Sequence, residues 1–178
     1  MAVRIHIIGA PGCGATTLGS AFASAHGIAF FDTDDFYFDV KHSQKRDPLK
    51  RNADLLAALS QHENWVVSGS IDGWNSEIDP RFTHIIFLRL DNEMRMARLR
   101  QRELDRYGLE AISPGGAQHE NSVFFIEWAS HYEDGSREGR NLARHEGWLG
   151  RQKVPVLRLD TDEPVNVLVE KVAALVGV

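Results

Sequence analysis

The chain has 178 residues, 43% hydrophobic and 25% charged, with a net charge of −5. That length fits one ordinary domain with a real core, and the negative balance excludes the electrostatic footprint of a dedicated nucleic-acid binder. The lone Cys13 excludes a disulfide framework, and the apolar run in "MAVRIHIIGA", broken by Arg4 and His6, is too short for a signal or membrane segment, so a cytoplasmic location with no membrane partner is expected.

The elements follow in chain order. "VRIHIIG" alternates apolar and polar residues before turning apolar, the pattern of a strand running into glycine. Leu18, Ala21, Phe22 and Ala25 then recur at helical spacing, and Gly27 is placed to stop that helix. "IAFF" (28–31) is a second strand, ending in "DTDDFY", and a basic loop, "KHSQKRDPLKR", leads to a helix over 52–62. "WVVSGS" is a third strand, and "THIIFLRL" (83–90) is a fourth, with Asp91 placed to cap the next helix. After a turn at "SPGG", helical segments are predicted over 119–132 and 136–149. "VPVLRLD" makes a fifth strand and "PVNVLVEKVAALV" a closing helix.

Strands alternating with helices predict an α/β fold, a five-stranded parallel sheet with helices on both faces. Ligands of such sheets sit beyond the carboxyl ends of the strands. "GAPGCGATT", "DTDDFY" and "SGSIDGW" each follow a strand, so all three fall on that edge.

"GAPGCGATT" meets the phosphate-loop pattern G-x-x-x-x-G-K-[ST] at Gly9, Gly14 and Thr16, but Ala15 stands in the lysine's place. Glycines let the backbone bring its N–H groups onto a phosphate, the following helix adds its positive end, and Thr16 offers a hydroxyl to Mg²⁺. A ligand-free turn of glycines is the bland alternative. A dinucleotide fingerprint is another, since Asp32 lies at the distance of a ribose-binding acid, but Thr17 occupies the position of its third glycine.

The stretch "GAPGCGATT" resembles the "GAPGxGKGT" loop of adenylate kinases, and the element order is similar to that of the nucleoside-monophosphate and shikimate kinases. The resemblance implies a single kinase-like domain over 1–178 with a lid insertion at about 105–150, ATP as phosphoryl donor, and Mg²⁺. Gly9, Pro11, Gly12, Cys13, Gly14, Ala15, Thr16 and Thr17 would then contact the nucleotide. In the family the absent lysine bridges the β- and γ-phosphates, so other cations must replace it.

Two arginine sets are candidates. Arg95, Arg98, Arg102 and Arg106 are spaced to share one helix face, and "RLRQR" resembles the start of the adenylate kinase lid. Carried over, Arg98 would stack near the base and Arg102 reach the phosphates. Arg137, Arg140 and Arg144 lie where the family closes a lid, with Arg140 and Arg144 the preferred substitutes. For either set the bland alternative is a solvated basic face.

On the acceptor side, "DTDDFY" resembles the aspartate-rich turns of shikimate, uridine and nicotinamide riboside kinases. These place an acceptor-binding base at Asp34, a metal contact at Asp32 and a further acceptor contact at Asp35; the alternative is a polar capping turn. Gly69 and Ser70 match the small residues that meet the acceptor in the shikimate group, with Asp72 and Trp74 beside them. Phe124, Phe125, Trp128 and Tyr132 form a stripe that either clamps an acceptor or is simply core. His62, His119 and His145 read as surface residues. The expected partners are a nucleotide and a small acceptor that the sequence does not name. Two functions remain: a small-molecule kinase in which lid arginines replace the lysine, or a non-catalytic ATP/ADP sensor.

Overall fold

Alternation along the central strands sorts their side chains onto two cores. β1 (Arg4–Gly9) sends Ile5 and Ile7 to one face and His6 and Ile8 to the other. β5 (Trp65–Ser68) and β6 (His84–Arg89) do the same, Val66, Ile86 and Leu88 opposing Trp65, Val67, Ile85 and Phe87. With β2 (Ala29–Asp32) and β7 (Val156–Asp160) they form a parallel sheet in the order β2-β5-β1-β6-β7. The computed structural model describes residues 2–40, 44–71, 73–74 and 77–178. Asp72 and residues 41–43 of the basic segment lie outside them.

One face is covered by α1 (Ala15–His26) and α8 (Val165–Val176), through Leu18, Phe22, Leu168 and Val172. The other packs against α3 (Pro48–Ser60) and α7 (Leu142–Leu149), through Leu55, Leu59, Trp148 and Leu149. α4 (Asn92–Tyr107), α5 (Leu109–Ile112) and α6 (His119–Ser130) lie between β6 and α7 in the chain, and Met96 and Leu99 of α4 pack with Ala129 of α6 in a third, smaller cluster. The expected architecture is therefore present, with Asp91 capping α4 by accepting from the Glu93 and Met94 amides and Gly27 closing α1 at φ 64°.

Three sequence expectations change. "DTDDFY" is a short helix, α2 (Thr33–Tyr37), because Asp32 accepts the Asp34 amide as its cap. The basic loop begins as a small hairpin, β3 (Phe38–Val40) against β4 (Gln44–Lys45), held by Arg46 on Asp39, Asp54 and the Phe38 carbonyl. The helix expected over 136–149 starts at Leu142. Before it, Gly135 and Gly139 hold φ of 67° and 98°, and Asp134 accepts from the Ser136 amide and hydroxyl, so local turns win over helical spacing.

β1 is flanked by β5 and β6, and the chain leaves it towards opposite edges, which puts the switch point of the sheet at its carboxyl end. Beside it, Gly69 follows β5 at φ 103°, and a Cβ there would lie 2.0 Å from Thr33 Oγ1. Gly69→Ala is expected to cost about 2 kcal/mol or more in denaturant unfolding; a loss below about 0.5 kcal/mol, the range of an ordinary surface change, would contradict this close packing.

Candidate active site

A cleft of about 1370 Å³ opens along the carboxyl edge of the sheet. Its floor is the loop from Gly9 to Thr17, which turns between β1 and α1. Cys13 N donates to Ala10 O at 3.2 Å, and Gly12 and Gly14 take φ of 86° and 94°. These conformations need glycine, and a Cβ on Gly14 would meet nothing within 4 Å, so the loop mouth is open. Thr16, at the first turn of α1, donates its hydroxyl to Asp32 Oδ2 at 3.3 Å. Oδ1 of the same carboxylate caps α2, so Asp32 joins the loop to the acidic turn. Among the described residues no group of three or more His, Cys, Asp or Glu side chains stands ready to hold a metal. Thr16 and Asp32 suit an ion that keeps its waters and shares phosphate oxygens, which is the habit of Mg²⁺.

Asp34, Gly69, Ser70 and Trp74 line one side of the cleft, with Arg98, Arg102, Arg140 and Arg144 also in its walls. Asp35 does not line it; its side chain is exposed on α2. Arg102 lies over the Phe125 ring at 5.3 Å, Arg140 over the Trp128 ring at 5.4 Å and Arg95 over the Tyr132 ring at 5.5 Å, so three members of the aromatic stripe carry guanidinium groups. Desolvation by the cleft walls, and then the neighbouring Arg106, pull the Arg102 pKa down, although the group stays protonated. Arg98 donates to the Thr161 carbonyl at 2.9 Å, and Arg144 lies against Gly73. Arg137 turns away to pair with Glu127. Of the α4 arginines, Arg98, Arg102 and Arg106 are exposed, as a solvated basic face would be, whereas Arg95 is fully buried behind the glycine loop.

Other residues emerge that the sequence did not single out. Arg51 of α3 is packed against Tyr37 at 4.8 Å and Trp74 at 4.6 Å from the ring centroids, in the cleft wall beside Lys45. Its Nε is buried without a hydrogen-bond partner among the described residues. The basic run was visible in the sequence, but nothing in it distinguished this cation from its neighbours. His145, expected at the surface, is fully buried. Tyr132 Oη lies 2.7 Å from its Nδ1 and Ser70 Oγ 3.2 Å from its Nε2. Burial pushes the Tyr132 phenol up, so it keeps its proton. His6 is buried as well, donating from Nε2 to the Gly69 carbonyl at 2.8 Å and stacking on Phe82.

Similarity to known proteins agrees with this geometry. An AAA domain family model matches residues 5–113. The chain belongs to the AAA domain family. It is 38% identical over 172 residues to the uncharacterized protein YqaC of Bacillus subtilis (strain 168), covering 97% of this chain and 96% of that one. Among solved structures, a shikimate kinase from Bacteroides thetaiotaomicron superposes with a TM-score of 0.60 at 17% identity, over 99% of both chains. A gluconokinase from Sinorhizobium meliloti 1021 gives 0.52 at 18% identity, over 99% of this chain and 94% of that one. A shikimate kinase from Acinetobacter baumannii in complex with shikimate gives 0.56 at 15%, covering 97% and 92%. This AAA domain chain thus has the P-loop kinase fold and resembles the adenylate and shikimate kinases. No helix among its described residues is long and apolar enough to cross a membrane.

Cys13 in the loop is buried, and burial lifts its thiol to about 11 despite nearby Arg140 and Arg95. The reactive species is the thiolate. Iodoacetamide at pH 8 should therefore leave the folded protein unmodified by mass spectrometry and label it fully in denaturant. Rapid labelling of the folded chain would mean the loop opens far more than this packing allows.

Proposed function

We propose that the protein is an ATP-dependent, Mg²⁺-requiring kinase of a small acceptor, and that Arg102, Arg140 and Arg144 together carry the charge of the absent loop lysine. One observation carries the reading: the glycine loop, the Thr16–Asp32 contact, Asp34 and these three arginines line one continuous cleft. The amides of the Gly9–Thr17 loop would hold the nucleotide phosphates, with Arg98 towards the base, and Thr16 and Asp32 would hold the Mg²⁺. When bound, the ion neutralises charge on the transferring phosphoryl group.

Asp34 would accept the acceptor's hydroxyl proton, with Gly69, Ser70 and Trp74 orienting the molecule. Arg51, whose charge is packed against the stacked Tyr37 and Trp74 rings with a buried Nε that has no partner among the described residues, favours an acceptor that carries a carboxylate or phosphate as well as a hydroxyl. The shared fold of the shikimate kinase and gluconokinase structures is consistent with an acceptor of this size. Of the segment over 105–150, the part with α5, α6 and the loop with Arg140 would close as a lid and exclude water, while α7 stays packed in the core.

Ala15 supports a second reading, a nucleotide sensor without turnover. The two separate in an ADP-release assay with ATP, Mg²⁺ and a panel of hydroxy acids, sugar acids and their phosphates. The kinase reading expects acceptor-dependent release, a fall in kcat of about 10²–10⁴ in Asp34→Asn, and nucleotide affinity within about threefold of wild type. Ala15→Lys should rescue Arg140→Ala, since both supply the same charge. Acceptor-independent behaviour across the panel, with Asp34→Asn indistinguishable from wild type, would leave the sensor.

A further inference from the structure

Arg95 is the one arginine among the described residues that is fully buried, and its position behind the glycine loop has no counterpart in the phosphate-loop pattern. Its Nη1 donates to the Pro11 carbonyl at 3.1 Å. Its Nη2 reaches Asn92 Oδ1 at 2.8 Å and both oxygens of Glu133, at 3.1 and 2.8 Å. The guanidinium also lies over the Tyr132 ring at 5.5 Å.

The Pro11 contact matters because of the turn it grips. Ala10 to Cys13 is closed by the Cys13 N to Ala10 O bond, with Pro11 second and Gly12 third at φ 86°, the signature of a type II turn. The central peptide of such a turn can flip, which reverses its C=O and N–H. A trans peptide points these two groups in opposite directions. With the Pro11 carbonyl held by Arg95 on the buried side, the Gly12 N–H points away from α4. After a flip a carbonyl would point there instead, and a phosphate would be repelled. Gly12 also has no room to withdraw, since a Cβ on it would lie 2.8 Å from Leu99 Cγ and 3.0 Å from the Arg95 carbonyl.

Glu133 brings in the other wall. It lies three residues past the end of α6, on the segment that runs to Arg140, and its side chain is 37% exposed while that of Arg95 is 0% exposed. We propose that Arg95 and Glu133 form a clamp that fixes the glycine loop in its anion-accepting form and ties it to the segment bearing Arg140. Arg95 is thus a positioning residue, doing from behind the loop part of the organising work a loop lysine does from the front. The identity of the anion rests on the nucleotide reading above, but the clamp itself does not.

Amide hydrogen exchange on the full chain without nucleotide tests it, with ADP titration alongside. Glu133→Ala, which removes a partly exposed side chain and leaves the core intact, should speed exchange at the amides of residues 12–14 about tenfold, the scale of coupling within one hydrogen-bond network. Central β1 and β6 amides should not change, and ADP should bind about tenfold more weakly. Arg95→Met should act in the same direction. Loosening confined to residues 131–141, with the glycine loop within twofold of wild type, would overturn the clamp. Failure of the wild-type protein to bind ADP would instead contradict the nucleotide reading, and the exchange data would still decide the clamp.

Discussion

A phosphate-binding loop made of backbone amides offers only partial charges, so the rest of the site is constrained by where full positive charge comes from. In this chain the position next to Gly14 is an alanine, and no cation enters through the loop itself. At an effective dielectric near 20, a unit pair at about 4 Å is worth about 4 kcal/mol, and at twice that distance about half as much. Two or three guanidinium groups at the longer distance therefore equal one lysine in contact. Such groups stand in the cleft wall on α4, on the loop before α7 and on α7 itself. The proposed function rests on that arithmetic: in it, the charge moves from the loop to the cleft walls.

Moving the charge also moves the problem of order. A lysine on the loop travels with the loop, whereas Arg140 sits on a segment of glycine turns that has to be held relative to the phosphates. The Arg95–Glu133 pair spans that gap, and the Tyr132–His145–Ser70 chain runs from the same end of α6 to the acceptor side. Arg95, Tyr132 and His145 are buried, and burial makes their hydrogen bonds costly to lose. Ser70 and Pro11, at the far ends of the two sets, line the cleft, so these bonds tie its walls to the fold behind them.

How much of this the sequence disclosed depends on how local each signal was. The strands, the glycine loop and the cap at Asp91 were legible because glycine conformation, alternation and capping act within a few residues. His145 was misread because a histidine's environment depends on which surfaces cover it, and α7 lays this one against the covered sheet. The α4 arginines were correctly assigned to one side by their spacing, yet spacing does not say that α6 and its following turn seal Arg95 in. The segment before α7 was read as helix because Arg137, Arg140 and Arg144 match helical spacing; Gly135 and Gly139, at positive φ, break it. Arg51 was hidden in a run of similar cations, and only its packing against Tyr37 and Trp74 sets it apart.

Calorimetric titration of the purified protein with ATP and with ADP, each with and without Mg²⁺, tests the central claim most directly. A working loop without its lysine predicts micromolar affinity that depends on the metal, a binding free energy of about −8 kcal/mol. Absence of binding at millimolar nucleotide would contradict both the kinase and the sensor readings, and would return attention to a dinucleotide at the same switch point.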